Sequence, residues 1–117
     1  MRLDALILLV LVPSAHWVQF HALQWPEGRL TYFYDAGSVR RHGERLAARW
    51  KIIASPKAGT TLYDIEINCG ARTFTERRTV RVDAKGGMIE TPPQELWIDH
   101  AIENGTSADG FSRRFCP

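Results

Sequence analysis

The sequence predicts an α+β domain: an antiparallel sheet of about six strands, wound as a meander, with a short C-terminal helix packed on one face and tethered by a disulfide. Three observations predict it. Apolar and polar residues alternate with the period of a strand through most of the chain. The period turns helical only after Asn104. Two cysteines are present, Cys69 at the end of an alternating run and Cys116 one residue from the C-terminus.

The first fifteen residues stand apart from this pattern. Arg2 is followed by the apolar run Ala5 to Val12 and then by the small residues Ser14 and Ala15. That is the layout of a secretory signal peptide, with an apolar stretch too short to span a bilayer. The expected organisation is therefore a signal peptide, residues 1–15, and a single domain, residues 16–117, exported to the periplasm or cell surface and not membrane-spanning when mature. A mature domain of this size holds one hydrophobic core.

Strands follow in order. Residues 17–21 and 29–35 are two strands separated by Pro26 and Gly28. A short strand near Val39 leads to a turn at Gly43. The next run sets Leu46, Ala48, Trp50 and Ile52 on one face, alternating with Arg45, Arg49 and Lys51. A loop with Pro56 and Gly59 joins it to residues 61–69, where Tyr63, Ile65, Ile67 and Cys69 share a face. The last strand runs from Arg72 to Asp83 and is expected to carry Phe74, Val80 and Val82 on one side. Gly86–Gly87 and Pro92–Pro93 then interrupt the ladder, and residues 83–100 have no assignable period.

The chain closes with a helix. Thr106, with Asp109 three positions on, resembles a capping box with Asp in the usual Glu position. Ala108, Phe111 and Phe115 form one stripe, and Arg113 and Arg114 suit the negative end of the helix dipole. A helix this short is marginal alone in water. In an oxidising compartment Cys69 and Cys116 pair. Closing that loop contributes roughly 4 kcal/mol and staples the helix to the sheet, with Phe111 and Phe115 expected on the face of Tyr63, Ile65 and Ile67.

Composition narrows the function. Fifteen basic residues against thirteen acidic ones give a formal net charge of +2, too little to argue for nucleic acid. The charge is polarised, with Arg40, Arg41, Arg45, Arg49, Lys51 and Lys57 in the middle and Glu90, Glu95, Asp99, Glu103 and Asp109 toward the end. No nucleophile elbow, phosphate-binding glycine motif or cofactor signature is present. Asp99, His100 and Glu103 are the one tight acidic–histidine cluster, and its period does not bring all three together. Binding is therefore expected, not catalysis, with no cofactor and no metal. Arg45, Arg49 and Lys51, extended by Arg77 and Arg81 on a neighbouring strand, form a candidate basic face suited to carboxylate, sulfate or phosphate. The competing reading is a solvated outer face. Trp50 reads as core, whereas Trp17, Trp25 and Trp97 lie near element ends, where one exposed indole can anchor a partner.

Tyr34, Asp35, Ser38, Val39 and Arg41, then Trp50, then Cys69 and Arg72, then Gly105, Thr106 and Cys116 together resemble the surface-adhesin E-like family of bacterial exported proteins. The resemblance runs from about Trp17 to Cys116. It implies an antiparallel sheet with a disulfide-tethered C-terminal helix, and a role in binding host extracellular-matrix or serum proteins. Sulfated glycans are a further partner class suggested by the basic face. The sequence departs from the family between Asp83 and His100, and no family binding motif carries over. A periplasmic structural or assembly factor, forming a homodimer through sheet edges, is the alternative.

Overall fold

A computed structural model of the chain describes residues 15–56 and 59–117. The signal-peptide assignment thus lies outside the described residues except at Ala15, as do Lys57 and Ala58 of the loop after the long strand. The fold is an antiparallel sheet curled into a half-barrel, with one C-terminal helix against its inner face.

Eight strands build the sheet: β1 (Trp17–Trp25), β2 (Gly28–Asp35), β3 (Arg40–His42), β4 (Arg45–Ser55), β5 (Gly59–Asn68), β6 (Thr73–Val82), β7 (Met88–Glu90) and β8 (Asp99–Ala101). The main path runs β1-β2-β4-β5-β6-β7, while β3 pairs with β4 and β8 with β6. Strand β4 is long enough for two partners on one edge, β2 against Trp50–Ser55 and β3 against Arg45–Ala47. The chain crosses between them in a single 3₁₀ turn, Ala36–Ser38. Asp35 accepts from the Gly37 N–H at 3.1 Å. The Ser38 hydroxyl donates to the Asp35 carbonyl at 2.7 Å and accepts from the Arg49 N–H at 2.8 Å, which fills the gap in the ladder.

Alternation on β4 and β5 is as expected: Leu46, Ala48, Trp50, Ile65 and Ile67 are all buried in one cluster. Helix α1 (Ser107–Phe115) closes this core through Phe111, which is 0% exposed. Its ring lies 5.5 Å from Phe20, 5.6 Å from Tyr34, 5.3 Å from Trp50 and 4.7 Å from Phe115, edge-to-face or tilted in each case. The Cys69–Cys116 disulfide joins the end of β5 to the end of α1, with Cα atoms 5.6 Å apart and 47 residues between them in sequence. Arg41 reaches the same end of the helix, donating to the Phe115 carbonyl.

The helix start works nearly as a capping box. Thr106 accepts from the Asp109 N–H at 3.2 Å, but the returning bond from Asp109 goes to the Gly105 N–H at 3.0 Å. Gly105 has φ +84°, open to glycine at little cost. Asp109 also accepts from Arg72 at 3.2 Å and from Arg113 at 3.0 Å. Its carboxyl is therefore held below the usual aspartate pKa, first by the Gly105 N–H and then by the two guanidiniums, against the effect of its burial. Arg72 itself sits at φ +55° in the β5–β6 turn and bonds the Ile102 carbonyl, so one arginine fastens turn, β8 end and helix together.

Two features correct the sequence reading. The first is a bulge in β6: Ile65 faces Glu76 and Asp64 faces Arg78, leaving Arg77 as an extra residue. Because side chains alternate, one inserted residue exchanges the two faces beyond it. Phe74 therefore stays with Ile67 on the inner face, whereas Val80 and Val82 fall opposite Leu62 and Thr60 on the outer one. They do not share a side with Phe74. A second bulge sits in β1, where Phe20 is the extra residue between Gln19 and His21. The other feature is that two more short strands, β7 and β8, begin within residues 83–100, both paired with β6.

Candidate functional site

On the outer face, strand alternation sets Arg45, Arg49 and Lys51 along β4, opposite the carboxylates of β5. Arg45 meets Glu66 at 3.1 Å and Arg49 meets Asp64 at 3.0 Å. Lys51 has an aromatic partner instead, its Nζ lying 4.4 Å from the centre of the Trp17 ring and 5.4 Å from that of Phe33. The bulged Arg77 joins this face, 3.7 Å from Glu66 and 4.4 Å from the centre of the Trp97 ring.

Arg81 is not part of it. The register pairs Arg81 with Thr61, on the side of Tyr63, where its charge acts to lower the Tyr63 pKa. Alternation from Phe74 sets Arg77 outward, and the bulge after it turns Arg81 inward. Arg78 takes the vacated place, making a two-pronged contact with Glu90 at 2.8 and 3.3 Å that raises its own pKa. The face thus carries Arg45, Arg49, Lys51, Arg77 and Arg78 against Asp64, Glu66 and Glu90, leaving an excess of positive charge. Its ion pairs are largely solvent-exposed, worth about 0–1 kcal/mol each, so an incoming anion can exchange with them.

Between these side chains lies an open cleft of about 390 Å³, with Arg49, Asp64, Arg77, Arg78 and Trp97 on its walls. Trp97 is 57% exposed and adopts φ +66°, a region that a bulky residue rarely occupies. Its N–H donates to the Glu76 carbonyl at 2.9 Å, which holds the loop after Pro93 across the middle of β6. An exposed indole in a conformation of this kind, stacked by a guanidinium, is the most distinctive feature of the outer surface.

The acidic–histidine cluster is dispersed. Asp99 accepts from the Thr75 hydroxyl at 2.5 Å, and His100 stacks on Phe74 with ring centres 5.0 Å apart. Glu103 contributes its backbone carbonyl to the Thr106 hydroxyl at 2.6 Å. Among the described residues no group of three His, Cys, Asp or Glu side chains is placed to hold a metal ion.

The inner face carries a second site that sequence reasoning missed. A pocket of about 150 Å³ lies between the sheet and the first turn of α1, bounded by Tyr32, Trp50, Tyr63, Phe74 and Glu76 and by Ser107 and Ala108. Burial raises the pKa of both tyrosines; Glu76 adds to the shift at Tyr63, and a hydrogen bond from Ser107 opposes it at Tyr32. The buried Trp50 Nε1 has no hydrogen-bond partner among the described residues. These side chains come from four strands and a helix, and no local motif links them.

Fold and sites together define a class: a disulfide-stapled antiparallel half-barrel with a basic, tryptophan-marked outer cleft and a small aromatic inner pocket. Comparison of the chain with protein-family models, curated proteins and solved structures found no match.

Proposed function

We propose that the protein is an exported cell-envelope binding module that recognises an acidic protein or polyanion through the outer face of its sheet, as an adhesin for host matrix or serum proteins would. The observation that carries this reading is the Arg77–Trp97 pair at the cleft, flanked by Arg49 and Arg78. Arginine and tryptophan are the residue types that most often dominate binding energy. The Arg77–Glu66 contact is long at 3.7 Å and easily exchanged. The disulfide is of the kind that persists in oxidising compartments, in keeping with export. The sequence resemblance to the surface-adhesin E-like family points the same way. The test is binding of the oxidised protein to immobilised heparin, laminin and vitronectin across a salt series. The reading expects saturable binding that weakens with salt and is reduced in Arg45→Ala/Arg49→Ala; flat responses on all three surfaces would remove it.

One observation favours the alternative, a periplasmic assembly factor. Among the described residues strand β7 ends the sheet with an unpaired edge, and its Met88 and Ile89 are 69% and 65% exposed. An uncovered apolar edge suits strand addition by a second chain. Sedimentation of the oxidised protein decides this: a dimer that Ile89→Lys dissociates supports it, and a monomer at high concentration counts against it.

A further inference from the structure

We propose that the inner pocket is a binding site for a small organic cation, an ammonium group. Four aromatic side chains, Tyr32, Trp50, Tyr63 and Phe74, line it together with the aliphatic Ile52 and Ile65. Aromatic ring faces are negative, so a box of them is a receptor for positive charge, ammonium groups above all. Glu76 also lines it, in a half-buried position.

Glu76 differs from the other carboxylates set into this sheet and helix. Asp64, Glu66, Glu90 and Asp109 each hold an arginine within 4 Å, and Asp35 and Asp99 accept hydrogen bonds from the Gly37 N–H and the Thr75 hydroxyl. Glu76 has neither an ion pair nor a side-chain hydrogen bond among the described residues, although Arg81 acts on the neighbouring Tyr63. A half-buried carboxylate without a countercharge gains from an opposite charge brought beside it, and a cation in the pocket supplies one.

Size and setting agree with this guest. At about 150 Å³ the pocket matches a cavity that accepts a single benzene ring. The raised tyrosine pKa values reflect poor hydration of the walls, which strengthens a cation–aromatic contact. The positive end of α1 opens nearby, but the Asp109 carboxylate in the first turn offsets it, and Thr106 accepts from the Asp109 N–H.

Choline and 3,3-dimethylbutan-1-ol test the proposal, since they share a shape and a hydroxyl and differ in charge. Each is titrated into the oxidised protein while the indole N–H resonance of Trp50 is followed by NMR and affinity is measured by calorimetry. The expected result is a shift of the Trp50 signal with choline and at least tenfold tighter binding of choline than of the neutral alcohol. Glu76→Gln, with its fold checked by circular dichroism, is expected to reduce choline affinity to about that of the alcohol. Equal binding of the two probes would make the pocket merely apolar and overturn the proposal. So would an unmoved Trp50 resonance, or unchanged choline affinity in Glu76→Gln.

Discussion

Phe111→Ala is the sharpest perturbation of the helix–sheet contact. The side chain is fully buried and its ring meets four others, from β1, β2, β4 and the helix itself. Truncating a buried phenylalanine costs about 3–5 kcal/mol, the lost transfer energy and the cavity left behind combined. The upper half of that range applies here, because Phe111 wedges between strands and a disulfide-anchored helix end, and the surroundings have little freedom to collapse. The disulfide remains closed in the variant, so the loss reports packing and not tethering. In urea, with a slope of about 1.5 kcal/mol/M, a loss of about 4 kcal/mol moves the midpoint down by roughly 2–3 M with the slope unchanged. Trp97→Ala, at an exposed site, is expected to stay within about 0.5 kcal/mol of the parent. A folded Phe111→Ala variant within about 1 kcal/mol of the parent would refute the packing of α1 described above.

Further predictions concern the cross-link and pH. Reducing Cys69–Cys116 removes loop-closure constraint worth roughly 4 kcal/mol, so the calorimetric melting temperature is expected to fall by about 15 °C or more; an unchanged melt would rule the cross-link out as a stabiliser. The lowered Asp109 pKa supplies stability that is present above the unfolded value of about 3.9 and is lost as pH falls through the folded one. Acid titration should therefore destabilise the parent more than Asp109→Asn, and parallel acid limbs would contradict this. The raised pKa values of Tyr32 and Tyr63 act in the opposite direction, supplying stability below about pH 10 that is lost as pH rises through their folded values. Absorbance titration should show two phenols ionising late, and Tyr63→Phe should remove one of them.

The core was legible in the sequence wherever alternation ran uninterrupted. Leu46, Ala48 and Trp50 on β4 and Ile65 and Ile67 on β5 follow period two without a break, and all are buried. Cys69 and Cys116 were legible because a chain with two cysteines leaves a single pairing. Residues beyond Arg77 were not. A bulge is decided by the fit of β6 to both neighbours, information absent from the β6 sequence itself, and it inverted the sides of Val80, Val82 and Arg81. The short strands β7 and β8 escaped for a related reason. Three residues carry too little pattern, and their pairing with β6 is set by where Gly86–Gly87 and Pro92–Pro93 turn the chain. The inner pocket was invisible because Tyr32, Trp50, Tyr63 and Glu76 converge only when the sheet curls. Trp97 was singled out by its position near an element end, though its stacking on Arg77 depends on the loop that the Trp97 N–H ties to the Glu76 carbonyl.

The outer-face account is tested most directly by comparing Arg77→Ala with Arg81→Ala on immobilised heparin and vitronectin at low salt. Both variants lose one arginine from one strand, so net charge changes equally, but only Arg77 faces the cleft with Trp97. The account predicts that Arg77→Ala weakens binding about tenfold, a loss of about 1.4 kcal/mol, while Arg81→Ala binds as the parent does. Equal loss in the two variants would mean that net charge alone governs binding, and would contradict a site on the outer face.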